Sequence, residues 1–199
     1  MMETVIGVDE VGRGALAGPV GVGVVRVSRG FDFARIPGVR DSKQLSLKER
    51  ERIYALARQL QKESALDFKV AMVGAGVIDR IGITRATALA VARALSYLSH
   101  SCEFLPNSVE VRLDGLLSAP LIYTHQQTII RGDQTEPIVS LASIVAKVTR
   151  DRYMMSLAKR YPLYELDRHK GYGTSLHRQC IKQHGLCTLH RKYFCKKLE

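Results

Sequence analysis

The stretch TVIGVDEVGRGALAGPVGVGVVRV, Thr4 to Val27, decides how this chain folds. Thr4 to Val8 is a β-branched run, Val20 to Val27 is another, and GRGALAGP lies between them. Two such runs parted by glycine and proline predict two strands joined by a loop, lying as antiparallel neighbours. The first strand ends on adjacent acids, Asp9 and Glu10, and Arg13 follows between Gly12 and Gly14. Acid beside base can be an ordinary turn, or a place where metal cations and a polyanion meet. One geometric difficulty is visible at once. Consecutive strand residues point to opposite faces, so Asp9 and Glu10 cannot both serve one site from a regular strand. Glycines 12 and 14 allow a twist there that would redirect Glu10.

Working outward, Ser46 and Glu49 have capping-box spacing ahead of a helix whose apolar stripe is Ile53, Leu56, Ala57 and Leu60. Asp67 to Met72 predicts a third strand. Thr84 to Leu98 is an alanine-rich helix with Leu89, Ala90, Ala94, Leu95 and Leu98 on one side. SVEVRLDG, residues 108–115, alternates as a strand and stops at a glycine, and QTIIRGD, residues 127–133, repeats that form. SLASIVAKVTRDRYMMSLAKRY, residues 140–161, is a long helix with the stripe Leu141, Ile144, Val145 and Val148, ended by Pro162. The basic tail beyond it predicts short helices. The organisation is an α/β domain over residues 1–160, built on a mixed sheet flanked by helices, with a small helical extension at 161–199 packed on it.

Composition narrows the partner. The 199 residues carry 30 Lys and Arg against 19 Asp and Glu, a net charge of +11. Such an excess suits a polyanion, most simply a nucleic acid, because each cation that meets a phosphate releases counterions. The first residues lack the basic segment of a secretion signal, and the apolar run GPVGVGVVRV is broken by Arg26, too short to span a membrane. Cytoplasmic residence is the expectation, with the four cysteines as free thiols.

The acids fall where chemistry would be assembled. Asp9 and Glu10 end one strand, Asp114 ends VEVRLD, and Asp133 follows TIIRG. Ligands of α/β sheets gather at strand ends. Carboxylates crowded there repel one another unless cations lie between them, and magnesium suits such a set because it uses few carboxylates and substrate phosphates as ligands. A dinucleotide loop is the rival reading of Gly12, Gly14 and Ala17, with Asp32 as its ribose acid. That motif must open a helix, whereas Pro19 and the valines after it read as a strand. Cys180, His184, Cys187, His190 and Cys195 offer zinc ligands, but at spacings that match no knuckle.

With these residues laid out, the sequence closely resembles ribonuclease HII over nearly its whole length. IGVDEVGRGALAGPV, RDSKQL, LDG, RGD, SLASIVAKVTRDR, HKGYGT and LHRKYF carry the resemblance, in that order. Ala15 stands where the family usually has proline, and LDGLL lacks an asparagine often found after that glycine; neither change touches a carboxylate. The resemblance implies a ribonuclease H-like fold and endonucleolytic cleavage of RNA in RNA–DNA hybrids and at ribonucleotides embedded in duplex DNA. It places Asp9, Glu10, Asp114 and Asp133 on the family's metal-binding, catalytic carboxylates. Gly12, Arg13 and Gly14 fall on its junction-sensing loop, and Tyr172 on the tyrosine that packs against the nucleotide there. Lys43 and Lys147 fall on positions suited to phosphate contact. Magnesium or manganese, two ions per site with substrate bound, is the implied cofactor; a monomer is the expected state.

The physics agrees with that assignment. Hydrolysis of a phosphodiester needs an activated water and a stabilised leaving oxygen, which two divalent ions roughly 4 Å apart supply, leaving 5′-phosphate and 3′-hydroxyl ends. Detecting one 2′-hydroxyl requires close approach in the shallow minor groove, which glycine backbone permits. Asp151, four residues after Lys147, reads as a structural partner. Arg168, Lys170, Arg178, Lys182, Arg191 and Lys192 read as a phosphate-tracking surface. A non-catalytic nucleic-acid binder on the same scaffold is disfavoured, since such a protein gains nothing from acids facing phosphates. The sister ribonuclease HIII would be expected to carry an extra N-terminal substrate-binding domain, for which the first motif, so near residue 1, leaves no room.

Overall fold

The computed structural model describes residues 2–196, so the last three positions of the expected extension, 197–199, lie outside the described residues. β1 (Thr4–Val11) and β2 (Val20–Ser28) are antiparallel neighbours, in register from Thr4↔Ser28 to Val11↔Gly21. β3 (Leu66–Val73) adds antiparallel to β2, while β4 (Val109–Asp114) and β5 (Gln126–Ile129) extend the other side in parallel. The order β3-β2-β1-β4-β5 makes a mixed sheet, as expected, with β1 at its centre.

The pleat sorts the core into two layers. Ile6, Val8, Val20, Val22, Val24, Val111 and Leu113 face a helical pair, α2 (Ala75–Ile81) and α3 (Ile83–Ser101). Val5, Val25 and Val27 face α1 (Leu47–Lys62) and the long helix at residues 137–158. α1 opens with the predicted reciprocal cap between Ser46 and Glu49. A one-turn helix, α4 (Gly132–Thr135), precedes α5 (Pro137–Ala158), and glycines let α5 lie directly on the sheet. A Cβ on Gly7 would stand 2.4 Å from the Ile138 carbonyl oxygen, and one on Gly23 would stand 2.4 Å from that of Ala142. Gly7 and Gly23 are therefore the footprint of a helix on the sheet.

Several boundaries differ from expectation. β5 stops at Ile129, because Arg131 turns left-handed (φ 58°) and starts α4, so Asp133 stands on a helical turn and not at a strand's end. α5 starts at Pro137 and stops at Ala158, short of Pro162, which opens a 3-10 turn at Pro162–Tyr164. α2 has no counterpart in the sequence reading; its seven residues are too few for a periodic stripe to declare itself.

The C-terminal segment contains α6 (Leu166–His169), α7 (Ser175–His184) and α8 (Lys192–Cys195). It packs against the loop after β1 and the second half of α5. Ala17, Met154 and Leu157 share an apolar cluster with Tyr164, Leu166 and Cys180, and Leu16 packs with Ile181 and Cys195. Leu16 and Ala17 both donate backbone N–H bonds to the Gly171 carbonyl, at 2.8 and 3.1 Å. Among the thiols and imidazoles weighed for zinc, Cys180 and Cys195 lie in separate clusters and both His190 nitrogens are engaged in hydrogen bonds.

Candidate active site

β1 carries both leading acids at its far end, where its pairing with β4 has stopped at Val8↔Leu113. Alternation puts Asp9 on the α5 side and Glu10 on the α3 side, which is the conflict the sequence raised. The structure resolves it without breaking the strand. The Asp9 carboxylate lies along the backbone, accepting the Glu10 N–H at 2.7 Å, with the Ser143 hydroxyl of α5 close enough to favour its charged form. Past the last β4 pair that edge of β1 is free, and Glu10, one methylene longer, reaches the same point. One oxygen each from Asp9, Glu10 and Asp114 comes within 4.8 Å of the others.

Asp133 stands beside this cluster without belonging to it. Its backbone N–H donates to Asp114 Oδ1 at 3.2 Å, while its own Oδ2 accepts from Lys43 Nζ at 3.0 Å. Lys43 is held in turn: its N–H donates to Asp41 Oδ1, and buried Asp41 also takes a bond from Gln134 of α4. Ser42 Oγ meets Ser143 Oγ at 2.8 Å, tying the Lys43 loop to the helix that supports Asp9. The Lys43 side chain remains 78% exposed, a cation leaning over the acids from solvent.

The electrostatics are those of a site short of positive charge. Burial, and secondarily the charges of Glu10 and Asp114, hold the Asp9 carboxyl well above the usual range. Burial also raises Glu10, against the pull of Arg13. Asp114 is raised by burial, although the Asp133 N–H bond works the other way. Lys43 is raised by its bond to Asp133. Three oxygen ligands within 4.8 Å, each more basic than normal, fit a hard divalent cation such as magnesium or manganese.

A cleft of about 420 Å³ opens above the acids. Gly12, Arg13 and Gly14 line it together with Ser42, Lys43, Lys147 and Tyr172. Of the carboxylates and substrate-contacting residues that the family resemblance singled out, all except Asp133 line this cleft, and Asp133 reaches it through Lys43 and Asp114; the tail cations do not line it. Lys147 pairs with Asp151 at 3.0 Å, the expected i,i+4 partner. The Tyr172 ring sits between cations, 5.4 Å from Lys147 Nζ and 5.2 Å from Arg150 Cζ.

Tyr172 is anchored from behind by buried histidines. His177 Nδ1 lies 3.0 Å from the Tyr172 carbonyl, His177 Nε2 lies 3.2 Å from His190 Nε2, and the Cys187 N–H donates to His190 Nδ1 at 2.9 Å. The bonds have one consistent direction if both rings are neutral: His190 Nε2–H donates to His177 Nε2, and His177 Nδ1–H donates to Tyr172. Burial, then the neighbouring His169 stacked at 4.1 Å, lowers His177 to about 4.

The sequence reading missed Ser143, Arg150 and the real position of Arg191. Arg191, assigned there to a phosphate-tracking surface, is 0% exposed. Its guanidinium donates inward to the carbonyls of Gly12, Arg13 and Gly18. Nothing in composition distinguishes a lysine-rich tail's one buried arginine from its exposed neighbours.

A mixed sheet flanked by helices, with acids from β1 and β4 meeting under a basic-walled cleft, is the architecture of the ribonuclease H class of hydrolases. Ribonuclease H2 of Pyrococcus horikoshii superposes with a TM-score of 0.68 at 26% identity, over 98% of this chain and 97% of that one. The Bst ribonuclease HIII solved with Mn2+ gives 0.78 at 21% identity, over 99% of this chain and 69% of that one. The family model for ribonuclease HII matches residues 6–197. The ribonuclease HII of Endomicrobium trichonymphae is 43% identical over 190 residues, 96% of this chain and 84% of that protein. The chain belongs to the ribonuclease HII family. It is a ribonuclease H, an endonuclease of RNA–DNA hybrids and, with its family, dependent on divalent metal. Among the described residues no helix is long and apolar enough to cross a membrane.

Proposed function

We propose that this enzyme also nicks duplex DNA at single embedded ribonucleotides, leaving 5′-phosphate and 3′-hydroxyl ends, and that magnesium or manganese serves it. Asp9, Glu10 and Asp114 hold the cations, with Asp133 completing the set once substrate phosphate draws Lys43 away. The observation that carries this reading is the convergence of three carboxylate oxygens within 4.8 Å beneath a cleft walled by Gly12–Gly14 and Tyr172. Bound divalent cations supply charge neutralisation at the phosphate and acidify water. The protein's own groups do the rest.

Asp9, fixed by Ser143 and the Glu10 N–H, keeps one oxygen aimed into the cluster. Lys43 and Lys147, lining the same cleft, meet the phosphates on either side of the scissile bond. Gly14 is exposed with open space where a Cβ would stand, so backbone there approaches a 2′-hydroxyl unobstructed. The Tyr172 ring, half-buried with its backbone fixed, packs against the sugar on the DNA side of the junction. An all-RNA continuation would place a further 2′-hydroxyl against that ring.

The test is a nicking assay on duplex DNA carrying one ribonucleotide, run with magnesium, with chelator, and with Asp9→Asn. Cleavage is expected only in the first case, at the ribonucleotide's 5′ side, with ends that a ligase and a polymerase accept directly. Cleavage persisting in chelator refutes the metal reading. Equal nicking by Tyr172→Ala and the wild type removes the tyrosine from recognition.

A further inference from the structure

The loop from Gly12 to Pro19 is held by two cations that never reach solvent. Arg150 and Arg191 are both 0% exposed, and their hydrogen-bond partners are backbone carbonyls. Arg191 takes the Gly12, Arg13 and Gly18 oxygens through Nη2, Nη1 and Nε, at 2.8, 2.8 and 3.0 Å. Arg150 takes the Pro19, Ala17 and Lys170 oxygens through Nε, Nη2 and Nη1, at 2.9, 3.3 and 3.0 Å. Among the described residues no carboxylate comes within salt-bridge distance of either guanidinium, and a buried charge of that kind is costly unless hydrogen bonds compensate it, as they do here at all three nitrogens of each. Burial and the Arg150 charge lower Arg191 to about 10.

The arrangement has a directional consequence. The carbonyls of Gly12, Arg13, Ala17, Gly18 and Pro19 all turn inward toward the two guanidinium groups, which fixes the loop's remaining face toward the cleft. Arg150 also joins that loop to the opposite wall: the same guanidinium binds the carbonyl of Lys170 and lies 5.2 Å from the Tyr172 ring. Gly171 closes the gap, since a Cβ there would stand 2.3 Å from the Ala17 carbonyl oxygen. The two walls are thus one rigid unit with its fasteners underneath.

We infer that Arg150 and Arg191 are positioning residues that set the spacing between the Gly12–Gly14 backbone and the Tyr172 ring, and through it the enzyme's selectivity for a lone ribonucleotide. The inference rests on the reading that those two walls grip the ribonucleotide junction. Neither arginine touches substrate. Each acts through the backbone it binds, and a planar fork reaching three carbonyls cannot be replaced by an ammonium, which binds as a compact point. Arg191→Lys therefore retains charge and bulk while releasing the loop.

The test compares wild type, Arg191→Lys, Arg150→Lys and Tyr172→Ala on a single-ribonucleotide duplex and on a continuous RNA–DNA hybrid, with kcat and KM determined for each and thermal melts alongside. Because misplacement by about 1 Å costs on the order of 100-fold, the Lys variants are expected to lose at least about tenfold more kcat/KM on the single-ribonucleotide substrate than on the hybrid. Amides of residues 12–14 should exchange hydrogen faster in both. Equal losses on the two substrates, or folded Lys variants with wild-type selectivity, overturn the inference, as does a finding that both are unfolded at the assay temperature. If Tyr172→Ala leaves nicking intact, it is the junction reading that has failed; if Tyr172→Ala loses nicking while the Lys variants keep it, the positioning role alone is wrong.

Discussion

Replacing Gly12 with alanine should damage the fold, whereas the same change at Gly14 should spare it. Gly12 has φ 77°, and a Cβ on it would stand 2.1 Å from Arg150 Nε and 2.6 Å from Cζ. The left-handed backbone alone costs about 1–2 kcal/mol for a residue with a side chain. The clash is with the planar end of a buried side chain whose three nitrogens are each hydrogen-bonded to a backbone carbonyl, so the guanidinium must shift. Breaking even one of its charged hydrogen bonds costs about 1.5–3 kcal/mol. The sum is about 2.5–5 kcal/mol, which in a chain of this size lowers the melting temperature by about 5–20 °C. At Gly14 a Cβ meets nothing within 4 Å and the backbone is not left-handed. Its stability cost should stay within about 0.5 kcal/mol. Its methyl would instead stand at the cleft, so single-ribonucleotide nicking should fall while the melt is unchanged. Scanning calorimetry of the two variants, with nicking rates alongside, decides it. Gly12→Ala melting within about 2 °C of wild type would refute the claim that Arg150 occupies its flank. Equal melts for the two variants would refute the division of labour between the glycines.

Three further outcomes follow from the charges. Asp9→Asn should abolish cleavage yet raise the metal-free melting temperature at pH 7, by roughly 2–4 °C per kcal/mol of relieved burial cost and repulsion. The sign follows from linkage: the folded pKa is raised, so the unfolded chain ionises first and stability falls as pH climbs from the unfolded value through the folded one. Asp9→Asn should therefore show a shallower loss over that window, and an equal slope in both proteins would count against a strained Asp9. Adding manganese at about 100 times its dissociation constant should stabilise the wild type by about 2.7 kcal/mol, and the gain should vanish in Asp9→Asn; a retained gain would place the cation elsewhere. His177, lowered to about 4, should show no imidazole titration by NMR between pH 7 and 5. Because its folded pKa is lowered, its contribution is present above the unfolded value near 6.5 and is lost as pH falls toward about 4. A midpoint near 6.5 would mean the neutral hydrogen-bond chain behind Tyr172 does not exist.

The parts of this fold visible in the sequence are those governed by local periodicity. The valine run of β2, the Ser46–Glu49 cap and the stripes of α1, α3 and α5 each repeat a pattern that one element imposes on its own residues. The acids at the ends of β1 and β4 were legible for a related reason: strand ends are local events, and an acid after a hydrophobic run marks one, whereas Asp133, read the same way, stands on the helical turn of α4. What could not be read is how separate segments share atoms. The sequence offers no sign that Asp133 spends its carboxylate on Lys43, because that bond joins residues ninety positions apart.

Gly12 and Gly14 look interchangeable in GRG, yet a Cβ on one would strike an arginine from α5 and a Cβ on the other would meet none of the described residues within 4 Å. Arg191 is the sharpest case. In a tail crowded with lysine and arginine it reads as one more surface cation, yet its guanidinium is held inside by carbonyls of a loop that comes almost at the chain's opposite end. Electrostatics therefore divide this protein in two ways. Exposed cations such as Lys43 can leave their partners when a phosphate arrives. Arg150 and Arg191 cannot, because the oxygens they hold belong to the backbone, and releasing them would strand both ions in the core. The cleft can exchange its charge partners for substrate while keeping its shape.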